Sequence, residues 1–416
     1  MDFPPQAQSA LGLAVFVGLA WALSENRKAF PTTTVIVGIG LQILLATMLL
    51  GLPFMRDALL SLNAVVDAIQ AATAKGSGFV FGYMGGGDKP FEVTNPAAVV
   101  TIAFTVLPIV IVMSALSALL WHWRILPLIV SAFAWALERT MKIGGALGLG
   151  CASNVFLGMI EAPLLIKPYL ERLTRSELFT LFTCGLANVA GTVLVLYANV
   201  LGPVVPGAVG HIIVASLLSL PASIVLSKIM IPGDQTTPAT AGGATMYRSS
   251  MDAVSTGAED GMKMYLNILA MLVAMLSLVA LANIILGNVQ FAGTPLSFER
   301  VLGWVFAPVV WLIGVPAADA ATAGSLMGTK TILNELIAYL NLAALPPDAL
   351  SERSKLLMVY AMCGFANLGS VGMMIGSISA LVPSRRDEIV ELSLKSIIPG
   401  TLSTCMTAAV IGLLPG

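Results

Sequence analysis

Apolar positions in this chain gather into runs, and the spacing inside each run predicts what it forms. Residues 10–23 and 34–54 are apolar on every side and approach the roughly 20 residues of a bilayer-spanning helix, so they read as the first two spans. No Lys or Arg precedes the first, which argues against a cleaved secretory leader. Over 56–74 the pattern changes. Leu59, Leu62, Val65, Val66 and Ile69 recur at helical spacing among polar residues, as in a helix lying at the membrane interface. The glycine-rich stretch 76–91 has neither the preceding strand nor the Lys-Ser/Thr ending of a phosphate cradle and reads as a structural turn. A third span is predicted over 97–121, ended by the interfacial anchor His122-Trp123-Arg124. Residues 125–137 read as a helix at the interface or in the interior.

Beyond that point the runs break. Between 140 and 168, Gly144, Gly145, Gly148, Gly150, Gly158 and Pro163 leave neither half long enough to cross alone, which predicts a re-entrant hairpin. Spans follow at 176–200, with Gly185, Asn188 and Gly191 at mid-depth, and at 211–231. The polar segment 232–262 ends in a surface helix from Met251 that leads into a span at 263–287. Residues 302–342 repeat the re-entrant pattern around a small-residue turn, and spans at 356–382 and 392–414 follow. The expected fold is an all-α polytopic membrane protein of about eight transmembrane helices plus two re-entrant helical hairpins in an inverted repeat. It divides into N-terminal spans (1–124), a first repeat (125–231), a polar cytoplasmic segment with a further span (232–300) and a second repeat (301–416). With the N-terminus outside, Lys and Arg collect on the cytoplasmic side by about two to one. The first hairpin then enters from the cytoplasm and the second from outside.

Composition narrows the class. The chain is 57% hydrophobic and 10% charged, with mean hydropathy +0.91, whereas soluble domains carry roughly a quarter charged residues. The lipid bilayer is therefore its solvent. A net charge of -1 gives no indication of nucleic acid. Cys151, Cys184, Cys363 and Cys405 lie in apolar segments without CxxC spacing or a nearby histidine, and read as free thiols rather than metal ligands. His122 and His211 stand near span ends, and no HExxH or GxSxG occurs, so neither an enzyme nor a cofactor is expected.

Two acids stand out against this background. Glu161 and Glu335 sit inside apolar helices, where an acid costs roughly 2.5–3.5 kcal/mol at mid-membrane and usually faces a cavity or a partner. Lys330, at helical spacing from Glu335, is the structural alternative as an ion-pair partner. Each acid precedes a similar phrase: Cys184-Gly185-Leu186-Ala187-Asn188 in the first case, Cys363-Gly364-Phe365-Ala366-Asn367 in the second. Broken helices meeting from two repeats describe many secondary transporters, because unwound carbonyls coordinate cations and half-helix N-termini face polar ligand groups. Ser370 shares the helical face of Asn367, and Phe365 is placed either to stack on a flat ligand or to pack. A channel would also use glycine-rich hairpins; passive, ion-independent flux is its signature.

FVFGYMGGG at 79–87, the N-x-x-x-G-x-x-E-A-P-L-L-I-K-P-Y-L block from Asn154, G-T-K-x-x-x-N-E-L-x-A-Y from Gly328 and C-G-F-A-N-x-x-S-x-G from Cys363 together resemble the concentrative nucleoside transporter family. The resemblance covers nearly the whole chain. It implies a homotrimer in the plasma membrane, of the bacterial inner-membrane type, with a scaffold drawn largely from 1–124 and 263–287 around an elevator-like transport part. It also implies nucleoside uptake coupled to a cation, usually sodium. Carried over, Asn154, Leu157, Asn188 and Val189 should supply oxygens to sodium. Glu335, Asn367 and Ser370 should hold ribose hydroxyls, with Phe365 and Val193 against the ligand and Glu161 close by. One departure stands out: Met159-Ile160 occupies the place of a polar Gln-Thr or Gln-Ser pair that reads the base. Asn188 likewise stands where many members have Ser or Thr. The expectation is altered base preference, purine-favouring or broad. Proton coupling, or a nucleobase or nucleoside-like metabolite as cargo, is the alternative.

Overall fold

The computed structural model describes residues 4–94, 101–238, 247–291 and 293–414. Its regular structure is almost wholly helical; the described strands are the two-residue pair Gln290–Phe291 and Thr294–Pro295. Six helices among the described residues are long and apolar enough to cross a membrane. α1 (Pro5–Ala22) and α2 (Thr32–Gly51) occupy the first two predicted spans, and α3 (Pro53–Phe81) the amphipathic stretch. α3 runs further than its pattern suggested. Gly76 and Gly78 are helical, and the turn begins only with a short 3-10 segment, Gly82–Gly85, and continues through the irregular residues 86–91. The third span is described from Thr101, so its predicted start at 97–100 lies outside the described residues. It opens with one π-helical turn, Ile102–Val106, and continues as α4 (Ile109–His122).

From α5 (Ile125–Met141) onward the chain states one plan twice. The first statement runs α6 (Gly145–Leu157), the short α7 (Ala162–Leu165) and α8 (Lys167–Leu170), then α9 (Arg175–Ala187), α10 (Gly191–Leu201) and α11 (Ala208–Met230). α12 (Ser250–Leu286) connects the two halves as one continuous helix, where a surface helix leading into a separate span was expected. The second statement runs α13 (Phe298–Leu312), α14 (Ala320–Ile332), α15 (Glu335–Ala344), α16 (Glu352–Met362), α17 (Leu368–Leu381) and α18 (Arg386–Leu413). The second hairpin therefore differs from its expected limits of 302–342. Its tip is Leu333-Asn334, where Asn334 caps α15 by accepting from the Ile337 N–H at 2.9 Å. The small-residue turn before Ala320 instead separates the hairpin from α13, the counterpart of α5. Glycine there has its reason in backbone shape: Gly314 adopts φ +107°.

Lipid tails give helices no hydrophobic reason to associate, so contact relies on small residues and interhelical hydrogen bonds. Both devices are present. A stripe of serines on α11 reaches its neighbours: Ser223 Oγ meets Cys184 Sγ at 3.0 Å, Ser227 donates to Thr180 Oγ1 at 3.0 Å, and Ser219 meets Thr407 at 3.3 Å. α9, α11 and α18 thus form buried central pillars. On α12, Gly257 and Gly261 are spaced as GxxxG, and a Cβ on either would fall within 2.8 Å of α4 atoms. α12 is consequently sealed to α4, while only 6% of its most apolar stretch is buried. That face is left for lipid or another protein.

The polar connection after α11 is tied down at its start. Glu177, fully buried in a capping box with Thr174, accepts from the Thr237 N–H at 2.7 Å and hydroxyl at 2.8 Å. Lys228 donates to Gly233 O at 2.9 Å. Residues 239–246 of the polar segment lie outside the described residues.

Candidate functional site

The two breaks in the repeated plan meet. Asn188, Val189 and Ala190 separate α9 from α10, and Cys363 to Asn367 separate α16 from α17. The Phe365 N–H donates to the Asn188 carbonyl at 3.3 Å, joining one break to the other. Gly364 permits this approach: a Cβ there would lie 2.9 Å from Ala187 O and 2.8 Å from Thr404 Cγ2. Each hairpin tip then folds onto the break of its own half. At the first tip Gly158 takes φ +90°, and a Cβ would lie 2.8 Å from that of Ala190. Only glycine is comfortable in that backbone region. Gly158→Ala should therefore lose about 1–3 kcal/mol of stability from strain alone, read as a lower unfolding temperature of the detergent-purified protein. An unchanged temperature would contradict the tip geometry.

The second tip delivers Glu335 into the meeting point. It is the first residue of α15, buried at 5% exposure, where helix N-terminal N–H groups favour an anion. Tyr197 of α10 donates its hydroxyl to Oε1 at 2.6 Å, and Asn367 donates through Nδ2 to Oε2 at 3.0 Å. Asn367 simultaneously caps α17, its Oδ1 accepting the Ser370 N–H at 2.8 Å. Thus Glu335, Asn367 and Ser370 do come together, with a residue of the first repeat holding the acid. Lys330 makes no salt-bridge contact with Glu335. The acid is satisfied by Tyr197 and Asn367, while the Lys330 ammonium is buried without a hydrogen bond.

The first half assembles a different chemistry. Asn154, in the last turn of α6, and Asn188, at the end of α9, are each 1% exposed. Each spends its amide Nδ2 on a helix carbonyl four residues back: Asn154 on Gly150 O at 3.1 Å, Asn188 on Cys184 O at 2.9 Å. Both Oδ1 atoms are left buried without a partner. Asn154 Oδ1 lies 3.7 Å from the place of a Gly185 Cβ, one helical turn before Asn188. Val189 is buried beside them, and Leu157 ends α6 half-buried. Unsatisfied buried acceptors are costly, and a hard cation satisfies such oxygens. Among the described residues no cluster of three His, Cys, Asp or Glu is placed to hold a metal.

The remaining predicted positions lie around the first tip. Met159 is buried, with a Gly185 Cβ falling 2.9 Å from its own, whereas Ile160 is half-buried. Glu161 folds back on the tip, near the N–H groups of Ile160 and Glu161 and with Oε2 3.1 Å from the place of a Gly158 Cβ. Val193 is buried and Phe365 half-buried. Tyr197 was missed in the sequence. Its signal was a phenol in a largely apolar helix, one turn beyond Val193 and so on the same face. Tyr339 was missed likewise; its ring packs 5.3 Å from that of Tyr197, and its hydroxyl donates to Val359 O at 3.0 Å.

Comparison with known proteins bears on this arrangement. Residues 211–412 match the model of the Na+ dependent nucleoside transporter C-terminus, residues 11–84 that of the corresponding N-terminus, and residues 103–204 a nucleoside recognition (Gate) domain. Nucleoside permease NupC of Helicobacter pylori is 34% identical over 98% of this chain and 97% of its own. Sodium/nucleoside cotransporter 1 of Rattus norvegicus is 31% identical over 99% of this chain and 64% of its own length. The solved structure of CNTnw in an inward-facing substrate-bound state superposes with a TM-score of 0.90 at 34% identity, covering 98% of this chain and 97% of that one. Helices built to cross a bilayer, broken twice and joined at their breaks, are thus those of a multi-pass membrane carrier rather than an enzyme, and the chain belongs to the nucleoside transporter family.

Proposed function

We propose that this protein takes up nucleosides by sodium symport, with alternating access of the elevator type. The observation that carries the reading is the setting of Glu335. A carboxylate has about four lone-pair sites; Tyr197 and Asn367 use one on each oxygen and fix the plane. The sites left over suit the two hydroxyls of a ribose, with Ser370 adding a polar group and Val193 and Phe365 an apolar wall. The partnerless Oδ1 atoms of Asn154 and Asn188 support a cation site shared with backbone oxygens of Leu157 and Val189. Amide oxygens take up no proton near neutral pH, which favours sodium over proton as the coupling ion. The exposed apolar face of α12 is compatible with a homotrimer, and the Lys/Arg bias with an N-terminus outside the plasma membrane.

The decisive measurement is uptake into proteoliposomes driven by a sodium gradient at fixed pH. Sodium-dependent accumulation of labelled nucleoside is expected. Uptake that ignores sodium and follows a pH gradient would overturn the choice of ion. Substrate range is the second test. With Met159 buried and Ile160 and Glu161 at the tip, the base meets fewer side-chain donors than a polar pair would offer, so purines and pyrimidines should compete within about tenfold, the scale of about 1.4 kcal/mol. Strong selectivity for uridine would sink this. Ile160→Thr should move the preference among bases while leaving the requirement for ribose hydroxyls unchanged.

A further inference from the structure

Lys330 stands in the last turn of α14, fully buried, and its ammonium has no hydrogen-bond partner. The titratable groups within electrostatic reach of it are Glu335 of α15, the Cys363 thiol in the second break and the Cys405 thiol of α18. Glu335 in turn faces the phenols of Tyr197 and Tyr339. Glu335 is the one carboxylate of this set. A buried ammonium without compensation is strongly disfavoured. The hairpin supplies compensation in two forms. Lys330 sits at the carbonyl end of α14 and Glu335 at the N–H end of α15, so each charge meets the favourable pole of its own helix. The two charges also straddle the tip Leu333-Asn334 and cancel at a distance, without touching.

We infer that Lys330 is a positioning residue of the carrier: its buried charge holds Glu335 in the ionised form that accepts the hydroxyls of the ligand. The inference rests on Glu335 being the ligand-binding acid, as proposed above. Lys330 itself stays clear of the ligand. Its partner is the charge of Glu335, not a hydrogen-bonding group, so charge and not shape is what a substitution must preserve.

A double-mutant cycle on the full-length purified protein tests the pairing without any nucleoside. Lys330→Met and Glu335→Gln should each lower the unfolding temperature, the second by stranding the ammonium. The double variant should be more stable than either. Additive losses would overturn the pairing, as would a double variant that fails to fold when Lys330→Met alone fails. Equilibrium binding of uridine and adenosine across pH then reads the positioning role. Lys330→Met should bind more weakly as pH falls below neutral, by up to about tenfold for each unit by which the acid's titration rises, with the deficit closing as pH rises. Lys330→Arg should stay within about threefold of the wild type. A merely structural lysine predicts parallel pH profiles, and parallel profiles would overturn the inference. Absence of nucleoside binding by the wild type, with the coupling intact, would refute the ligand reading and not the charge pairing.

Discussion

Glu335→Gln should reduce nucleoside affinity by at least about 100-fold. The estimate comes from two hydroxyl bonds to a charged acceptor, each about 1.5–3 kcal/mol, with about 1.4 kcal/mol per factor of ten. The substitution also creates a conflict inside the protein. Glu335 now accepts on both oxygens, from Tyr197 and from Asn367. A glutamine offers one acceptor and one donor, so its oxygen can keep only one of these donors; with the oxygen on the Asn367 amide, the Tyr197 hydroxyl must reverse its role and accept. Tyr197→Phe separates the effects: it removes one neutral donor and should cost about tenfold or less. Equilibrium binding to purified protein checks both. Retention of affinity within a factor of three by Glu335→Gln would remove the acid from the ligand site.

Asn154→Ala should raise the sodium concentration for half-maximal uptake by about 10-fold or more, since an ion loses one buried oxygen worth about 1.5–3 kcal/mol. Asn154→Ala combined with Asn188→Ala should abolish sodium stimulation altogether. The reasoning rests on what each asparagine does with its two ends: both amide nitrogens are committed to helix carbonyls, and both oxygens are free. Uptake against sodium concentration at constant ionic strength and pH is the measurement. A sodium dependence equal to the wild type in the double variant would show that these oxygens serve another purpose. Because the oxygens lie on the first repeat and Glu335 on the second, the two sets of variants should act separately on ion and ligand. Coupling between them would travel through the Phe365–Asn188 backbone bond.

Much of the site was legible in the chain because its components are chemically out of place there. An acid in an apolar run, and asparagine after glycine where a helix ought to continue, mark breaks that only a buried function tolerates. Position along a hairpin was less legible. Small residues before Ala320 suggested the second tip, yet the tip is Leu333-Asn334. Small residues permit a turn, but a capping asparagine followed by an acid at the first helical position fixes where a helix restarts. The extension of α3 to Phe81 has a similar cause. Glycine lowers helix propensity by only about 1 kcal/mol, and a continuing helix outweighs it at Gly76 and Gly78.

The sequence by itself determined that this is a membrane protein, that its helices break in two matching places with Asn188 and Asn367 at the breaks, and that Glu161 and Glu335 stand in the interrupted apolar segments that precede them. Those facts follow from local chemistry: hydropathy, glycine, and polar groups that lipid cannot satisfy. Only the tertiary structure decided which groups meet. It gave Glu335 to Tyr197 and Asn367 rather than to Lys330, turned Met159 inward and left Ile160 at the tip, and left two amide oxygens facing no donor. Partnership of this kind depends on contacts between residues far apart in the chain, 138 positions for Tyr197 and 32 for Asn367, and spacing along the chain carries no record of them.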